Sequence, residues 1–260
     1  MRRIAVASSL VALFVAALAA LPAHAQLAVT AAVEYFQWIE DTSPIEVREQ
    51  GPLFVLGLEY TQPKDQGWLF AYRGKVYTGT VQYDGALLSA PSVPVSGDTS
   101  YFGVTNEVQL RYRLLPQRSY RFDLVGGAGY DFWERELSDV QTEDYQVAYV
   151  RLGIALDTTS DRGWMLGTGL KYPVWTEEDA HFTDFGYQQN PKLQPVGRVS
   201  PYVYAGFRFQ PHLALVGYFD SYSFGASDPV TVTSSGGGST QFYQPASVQY
   251  NFGIGLQYQF

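Results

Sequence analysis

The last fourteen residues, Ser247-Val248-Gln249-Tyr250-Asn251-Phe252-Gly253-Ile254-Gly255-Leu256-Gln257-Tyr258-Gln259-Phe260, decide the fold. Their even positions are apolar or aromatic, and their odd positions are polar or glycine, without a fault. Successive side chains on a strand point to opposite faces, so a period of two describes one strand with an apolar and a polar face. A strand in a soluble sandwich has about six residues, whereas a tilted strand that crosses a bilayer needs about ten. The length points to a strand that spans a membrane.

The same texture recurs upstream. Phe102, Val104, Val108, Leu110, Tyr112 and Leu114 interleave with Thr105, Glu107, Gln109, Arg111 and Arg113. Ala148, Val150, Leu152, Ile154 and Leu156 interleave with Tyr149, Arg151, Gly153, Ala155 and Asp157. Residues 120–133, 164–175 and 198–209 repeat the pattern, with Leu170 and Phe207 on apolar faces and Trp133 and Trp175 on polar ones. Weaker stretches cover 27–40, 52–62, 68–84 and 213–225, which makes ten strands. The connections alternate: 41–51, 85–99, 176–194 and 226–242 are long and 136–143 intermediate, while 63–67, 115–119, 158–161 and 210–212 are short. With both chain ends on the periplasmic side, every long connection falls outside. Backbone groups cannot stay unpaired in lipid, so such a sheet must close on itself. The expected fold class is all-β: a closed antiparallel transmembrane β-barrel of about ten strands, with long extracellular loops and short periplasmic turns.

Composition narrows the remaining classes. The chain has 260 residues with no Cys, which excludes a disulfide scaffold, a thiolate zinc site and a cysteine nucleophile. Its formal net charge of -8 opposes general nucleic-acid binding, which needs an excess of Lys and Arg. At the start, Arg2 and Arg3 precede an apolar run, Pro22 breaks it, and Ala23-His24-Ala25 follows. This is the order of a signal peptide over 1–25, with cleavage before Gln26 and residues 26–260 forming the barrel domain.

The leader, the alternating strands and the terminal Tyr258-Gln259-Phe260 resemble the small outer-membrane β-barrel proteins of Gram-negative bacteria. The resemblance implies the outer membrane as location, and outer-membrane lipids, lipopolysaccharide and the barrel-assembly machinery as partners. Tyr258 and Phe260 look like the aromatic end read by that machinery. A monomer without cofactor or metal is the expectation. Ten-stranded members of this class include omptin proteases and an Opc-type adhesin, so strand number does not separate enzyme from binder.

The enzyme reading meets few candidates. His24 leaves with the leader, His212 belongs to a periplasmic turn, and no spanning segment carries a histidine. His181 lies within the acidic run Glu177-Glu178-Asp179-Ala180-His181-Phe182-Thr183-Asp184, which is either a solvated loop or a weak cation site. The omptin resemblance implies an Asp–His pair facing paired acids; Asp179 and His181 have a suitable spacing, but Asp84 and Asp131 do not make the acidic pair. No catalytic residue is assigned.

The polar faces carry the charges that point to function. Arg73, Lys75, Glu107 and Arg151 fall near mid-depth in the lumen, and Glu107 is expected to pair with one or more of the three cations. Arg111, Arg113, Arg121, Asp123, Asp157 and Arg208 fall near the periplasmic end. Unpaired charge in a narrow interior is costly, so these groups form either a salt-bridged plug or the constriction of a narrow, anion-preferring pore. Ten strands sit near the closed end of the barrel series. The functional expectation is a structural or narrow pore-forming barrel passing ions or small solutes, with a surface adhesin or outer-membrane hydrolase as alternatives.

Overall fold

The computed structural model describes residues 26–87, 90–114, 119–138 and 140–260. The expected leader over 1–25 lies outside the described residues, as does most of the 115–119 turn. Ten strands form the wall: β1 Gln26–Glu40, β2 Val47–Thr61, β3 Gly67–Leu87, β4 Ala90–Leu114 and β5 Tyr120–Glu136. They continue as β6 Thr142–Thr158, β7 Gly163–Asp179, β8 Ser200–Gln210, β9 Leu213–Gly225 and β10 Ser247–Gln259. Each pairs antiparallel with its neighbour in sequence. β10 returns to β1, from Ala28 opposite Gln259 to Glu40 opposite Ser247, and the sheet closes.

Alternation sorts the two faces. Leu110, Leu152, Leu170, Phe207 and Ile254 face outward and are 37–71% exposed, the side that meets lipid. Aromatic pairs mark the periplasmic rim of this belt: Trp68 against Tyr112 and Trp164 against Phe207, both with centroids 5.1 Å apart. The short turn before Trp68 needs Gly67 at φ 79°, a left-handed conformation open to glycine. One aromatic departs from the sequence pattern. A register shift makes Trp175 face Ala148 and Pro173 face Tyr149, and Trp175 turns outward rather than into the lumen.

Four connections are shorter than their sequence suggests. The 41–51 loop shrinks to 41–46, because Val47–Gly51 pair with Glu40 through Phe36 of β1. The 85–99 loop is the end of a long β3–β4 hairpin, with Gly85 opposite Val95 and Val81 opposite Thr99. Residues 176–179 belong to β7, and β5 and β6 extend to Glu136 and back from Thr142. The backbone ladder outlasts the lipid belt: above it the outward face meets water and no longer needs apolar side chains.

Two long outer loops remain, 180–199 and 226–246. The first holds a short 3-10 turn, Phe182–Phe185; the second holds a hairpin of Val230–Thr233 with Ser239–Phe242. They bury Ala180, Phe182 and Val232 together, and the Phe182 and Phe242 rings lie 4.6 Å apart.

Candidate functional site

The lumen is the site, and its side chains arrange in three tiers. Inward tyrosines first fill the space that the glycine-rich arc leaves open. Tyr149 lies across Gly129, Tyr202 across Gly153 and Gly169, Tyr204 across Gly167, and Tyr218 across Gly253; a Cβ at any of these glycines would fall 2.0–2.5 Å from a ring or hydroxyl atom. The bare backbone is what lets each ring lie flat on the wall.

The periplasmic tier is built from arginine–carboxylate pairs. Arg113 grips Asp123 with two hydrogen bonds of 2.7 and 2.8 Å, a bidentate fork fixed by their register across β4 and β5. Arg208 reaches Asp157 at 3.0 Å. Glu59 takes both Arg73, at 3.3 Å, and Arg111, at 3.0 Å. Arg151 Nη1 donates to both Glu107 oxygens at 2.9 and 2.7 Å. Tyr149 Oη also donates to Glu107 at 2.9 Å, and Gln109 donates to it from the same strand. Arg121 stands in register with Asp157 yet makes no ion pair or hydrogen bond among the described residues.

The middle tier is smaller. Lys75 and Tyr218 both donate to Glu34, at 3.2 and 2.9 Å. Lys171 pairs with Asp220 at 2.9 Å and lies 3.3 Å from the centre of the Tyr222 ring, a cation–π contact. Tyr222 donates to Asp131 at 2.5 Å.

The outer tier is a seal. Phe36, Trp38, Leu53, Tyr77, Val81, Tyr101, Trp133, Tyr145, Val147, Tyr222 and Phe224 form one buried cluster drawn from seven strands. Trp133 and Tyr145 stack at 5.0 Å with planes 4° apart, and Trp38 meets Tyr145 edge-on at 5.5 Å. Among these rings Arg135 bonds Glu143 at 2.5 Å and Glu40 at 2.9 Å, with Glu49 at 3.6 Å. Tyr101 and Thr99 donate to Glu49. Buried Glu178 is in electrostatic reach of Arg135, Glu40 and Glu143.

A cavity of about 490 Å³ occupies the periplasmic half. Arg73, Arg111, Arg113, Arg121, Arg151 and Arg208 line it, with Glu59, Glu107, Asp123 and Asp157 between them. None of Phe36, Trp38, Tyr101, Trp133, Tyr145, Tyr222 or Phe224 does.

The mid-depth set from the sequence is thus divided. Of Arg73, Lys75 and Arg151, only Arg151 forms an ion pair with Glu107; Arg73 turns to Glu59 and Lys75 to Glu34. The periplasmic set, Arg111, Arg113, Arg121, Asp123, Asp157 and Arg208, shares one cavity. Sequence reasoning missed Glu49, Glu143 and Glu178, which it left in loops; their signal is weak, a lone inward carboxylate alternating with polar outward neighbours. Tyr258 and Phe260 stay exposed at the periplasmic rim, their rings 5.0 Å apart.

His181 does meet a carboxylate, Asp144, at 3.0 Å, and its backbone N–H bonds Asp179 at 3.1 Å. Asp144 alternates with the inward Glu143 and Tyr145 and therefore lies on the outward face of β6. Neither His181 nor Asp144 lines the lumenal cavity. His212 sits in its turn, 2.9 Å from the Gln259 carbonyl.

Among solved structures the chain is similar to the outer membrane protease OmpT from Escherichia coli, at 13% identity over 91% of this chain and 96% of that one, with a TM-score of 0.50. It is also similar to the outer membrane protein OprG from Pseudomonas aeruginosa, at 11% identity over 91% and 95%, with a TM-score of 0.41. Neisserial surface protein A aligns at 8% identity over 90% and 97%, with a TM-score of 0.35. At such identities the likeness to OmpT concerns the fold alone. No protein-family model and no curated protein matches the chain. The closed ten-stranded wall and its apolar belt define a membrane-spanning β-barrel, and its fold is that of the outer-membrane barrel OmpT.

Proposed function

We propose that this barrel is a structural, non-conducting outer-membrane protein rather than a pore. The observation that carries the reading is the outer tier: eleven buried hydrophobic side chains, locked to Arg135 and its carboxylates, stand between the periplasmic cavity and the outside. Ten strands enclose little more space than their side chains fill, and here tyrosines cover the glycine arc as well.

The test is ion flux from proteoliposomes. The wild-type barrel should release chloride and potassium no faster than protein-free vesicles. A Trp38→Ala, Trp133→Ala variant should leak. Rapid wild-type release of either ion would reverse the reading and restore the narrow pore.

A second role, surface binding, draws on the outer loops. Residues 180–199 and 226–246 hold one another through Phe182, Tyr187 and Phe242, giving a shaped platform instead of two free loops. Replacing 230–242 by a short turn would leave the barrel folded and abolish any binding to cells or matrix that the platform provides. Binding that survives the replacement would remove this second role.

A further inference from the structure

We infer that the periplasmic half of the lumen is a blind binding pocket for a small oxyanion, a solute carrying a phosphate or a carboxylate. That the pocket is blind rests on the non-conducting reading; that it binds does not.

The pocket's size suits a small solute: about 490 Å³, within the range of roughly 300–1,000 Å³ of ordinary ligand sites. Its walls carry a surplus of positive charge. Six guanidiniums and Lys75 face the six carboxylates Glu59, Glu107, Asp123, Asp157, Asp161 and Asp220, a surplus of one. The arginines sit at two depths. At the pocket's inner end, Arg73, Arg111 and Arg151 share only Glu59 and Glu107. At the mouth, Arg121 has no ion-pair partner among the described residues, while Arg113 and Arg208 hold Asp123 and Asp157.

Hydrogen-bond supply agrees. A guanidinium offers five N–H donors. Arg111 spends Nε on Gln109 and Nη2 on Glu59, and Arg151 spends Nη1 on Glu107. The hydrogen bonds of the described residues leave Nη1 of Arg111, Nη1 of Arg73 and Nη2 of Arg151 without an acceptor, and Nε of Arg151 is buried with none. Aromatic faces hold the cations in place: Arg151 lies 3.6 Å from the centre of the Tyr202 ring and Arg73 5.0 Å from that of Tyr204. An oxyanion is the group that would satisfy such a donor surplus, because planar guanidinium forks match phosphate and carboxylate geometry.

The experiment is isothermal titration of the full barrel, folded in zwitterionic detergent, with inorganic phosphate and with citrate; choline chloride is the control. Arg111→Gln removes donors while Glu59 keeps Arg73. Ala28→Trp fills the cavity with no change of charge, and heat-modifiable gel migration verifies that each variant is folded. The wild type should take up one anion saturably, and both variants should bind it at least tenfold more weakly. Uptake of phosphate alone or of citrate alone supports the site and identifies the headgroup. Wild-type protein that binds neither anion overturns the proposal, as does unchanged affinity in folded Ala28→Trp, which would place the anion elsewhere. A wild type that binds and also conducts keeps the pocket and removes the seal; one that neither binds nor conducts does the reverse.

Discussion

The two halves of the lumen are made by the same strands from similar residue types, yet one is packed and the other is hollow. In the outer half, the guanidinium is wedged among stacked rings: Arg135 lies 5.4 Å from the centre of the Trp38 ring and 5.5 Å from that of Tyr145. In the inner half the pairs stand against the wall, and the space between them stays open. The difference lies in what accompanies the charges. Above, large aromatic side chains from opposite walls, such as Trp38 and Tyr145, meet across the barrel, while below, Tyr202, Tyr204 and Tyr218 lie over glycines. An ion pair enclosed by rings lies in a low dielectric, where losing one partner is expensive; a pair beside water is screened.

This contrast orders the expected effects of substitution. The largest belongs to Arg135→Met, which leaves Glu40, Glu49, Glu143 and Glu178 buried with no cation. Urea unfolding in detergent should show a loss of roughly 3–5 kcal/mol, the usual cost of breaking a buried ion pair. A loss under 1 kcal/mol would mean that the outer tier is wetter than its packing suggests. Trp133→Ala comes close behind, at about 3–5 kcal/mol for a large aromatic removed from a packed cluster. It should also raise ion leak, which the Arg135 variant need not do.

Leu152→Arg tests the wall instead of the lumen and should cost about 2–4 kcal/mol near the middle of the bilayer. Spin labels at 152 and 151 check the same register: position 152 should report lipid, and a lipid signal at 151 would shift the strand by one residue. The smallest effect is expected from Glu107→Gln in the hollow half. Gln keeps an acceptor for Arg151, which borders the cavity, so the loss should be on the order of 1–2 kcal/mol. Conductance should stay at the baseline. Were Glu107→Gln to cost as much as Arg135→Met, the two halves would be equally dry.

The sequence makes the wall legible and leaves the lumen half-read, for a physical reason. Ser247–Phe260 and the Leu152/Arg151 alternation report a boundary between lipid and polar interior, and that boundary imposes a period of two on every strand it cuts. Above the belt the constraint disappears: Arg48 and Gln50 are polar because they meet water, so Glu49 between them carries no periodic mark of its burial. Glu143 and Glu178 escaped recognition in the same way. Depth along a strand can be counted in residues, which brought Glu107 and Arg151 to one level. Partner choice cannot be counted. Lys75 reaches Glu34, two strands away, and Arg73 shares Glu59 with Arg111, choices fixed by barrel curvature and side-chain length. The Trp175 bulge belongs to the same class of local detail.

Because the chain contains no cysteine, a single introduced thiol can measure the contrast between the two halves without background. Ala28 lines the periplasmic cavity, and Val147, facing inward on β6, lies wholly buried in the outer seal. Folded Ala28→Cys should react with a small charged thiol reagent within about tenfold of the rate of a free thiol, and Val147→Cys should be slower by a further factor of at least 100. Equal, rapid labelling at both positions would show that water passes through the outer tier, and would contradict a barrel sealed above and open below.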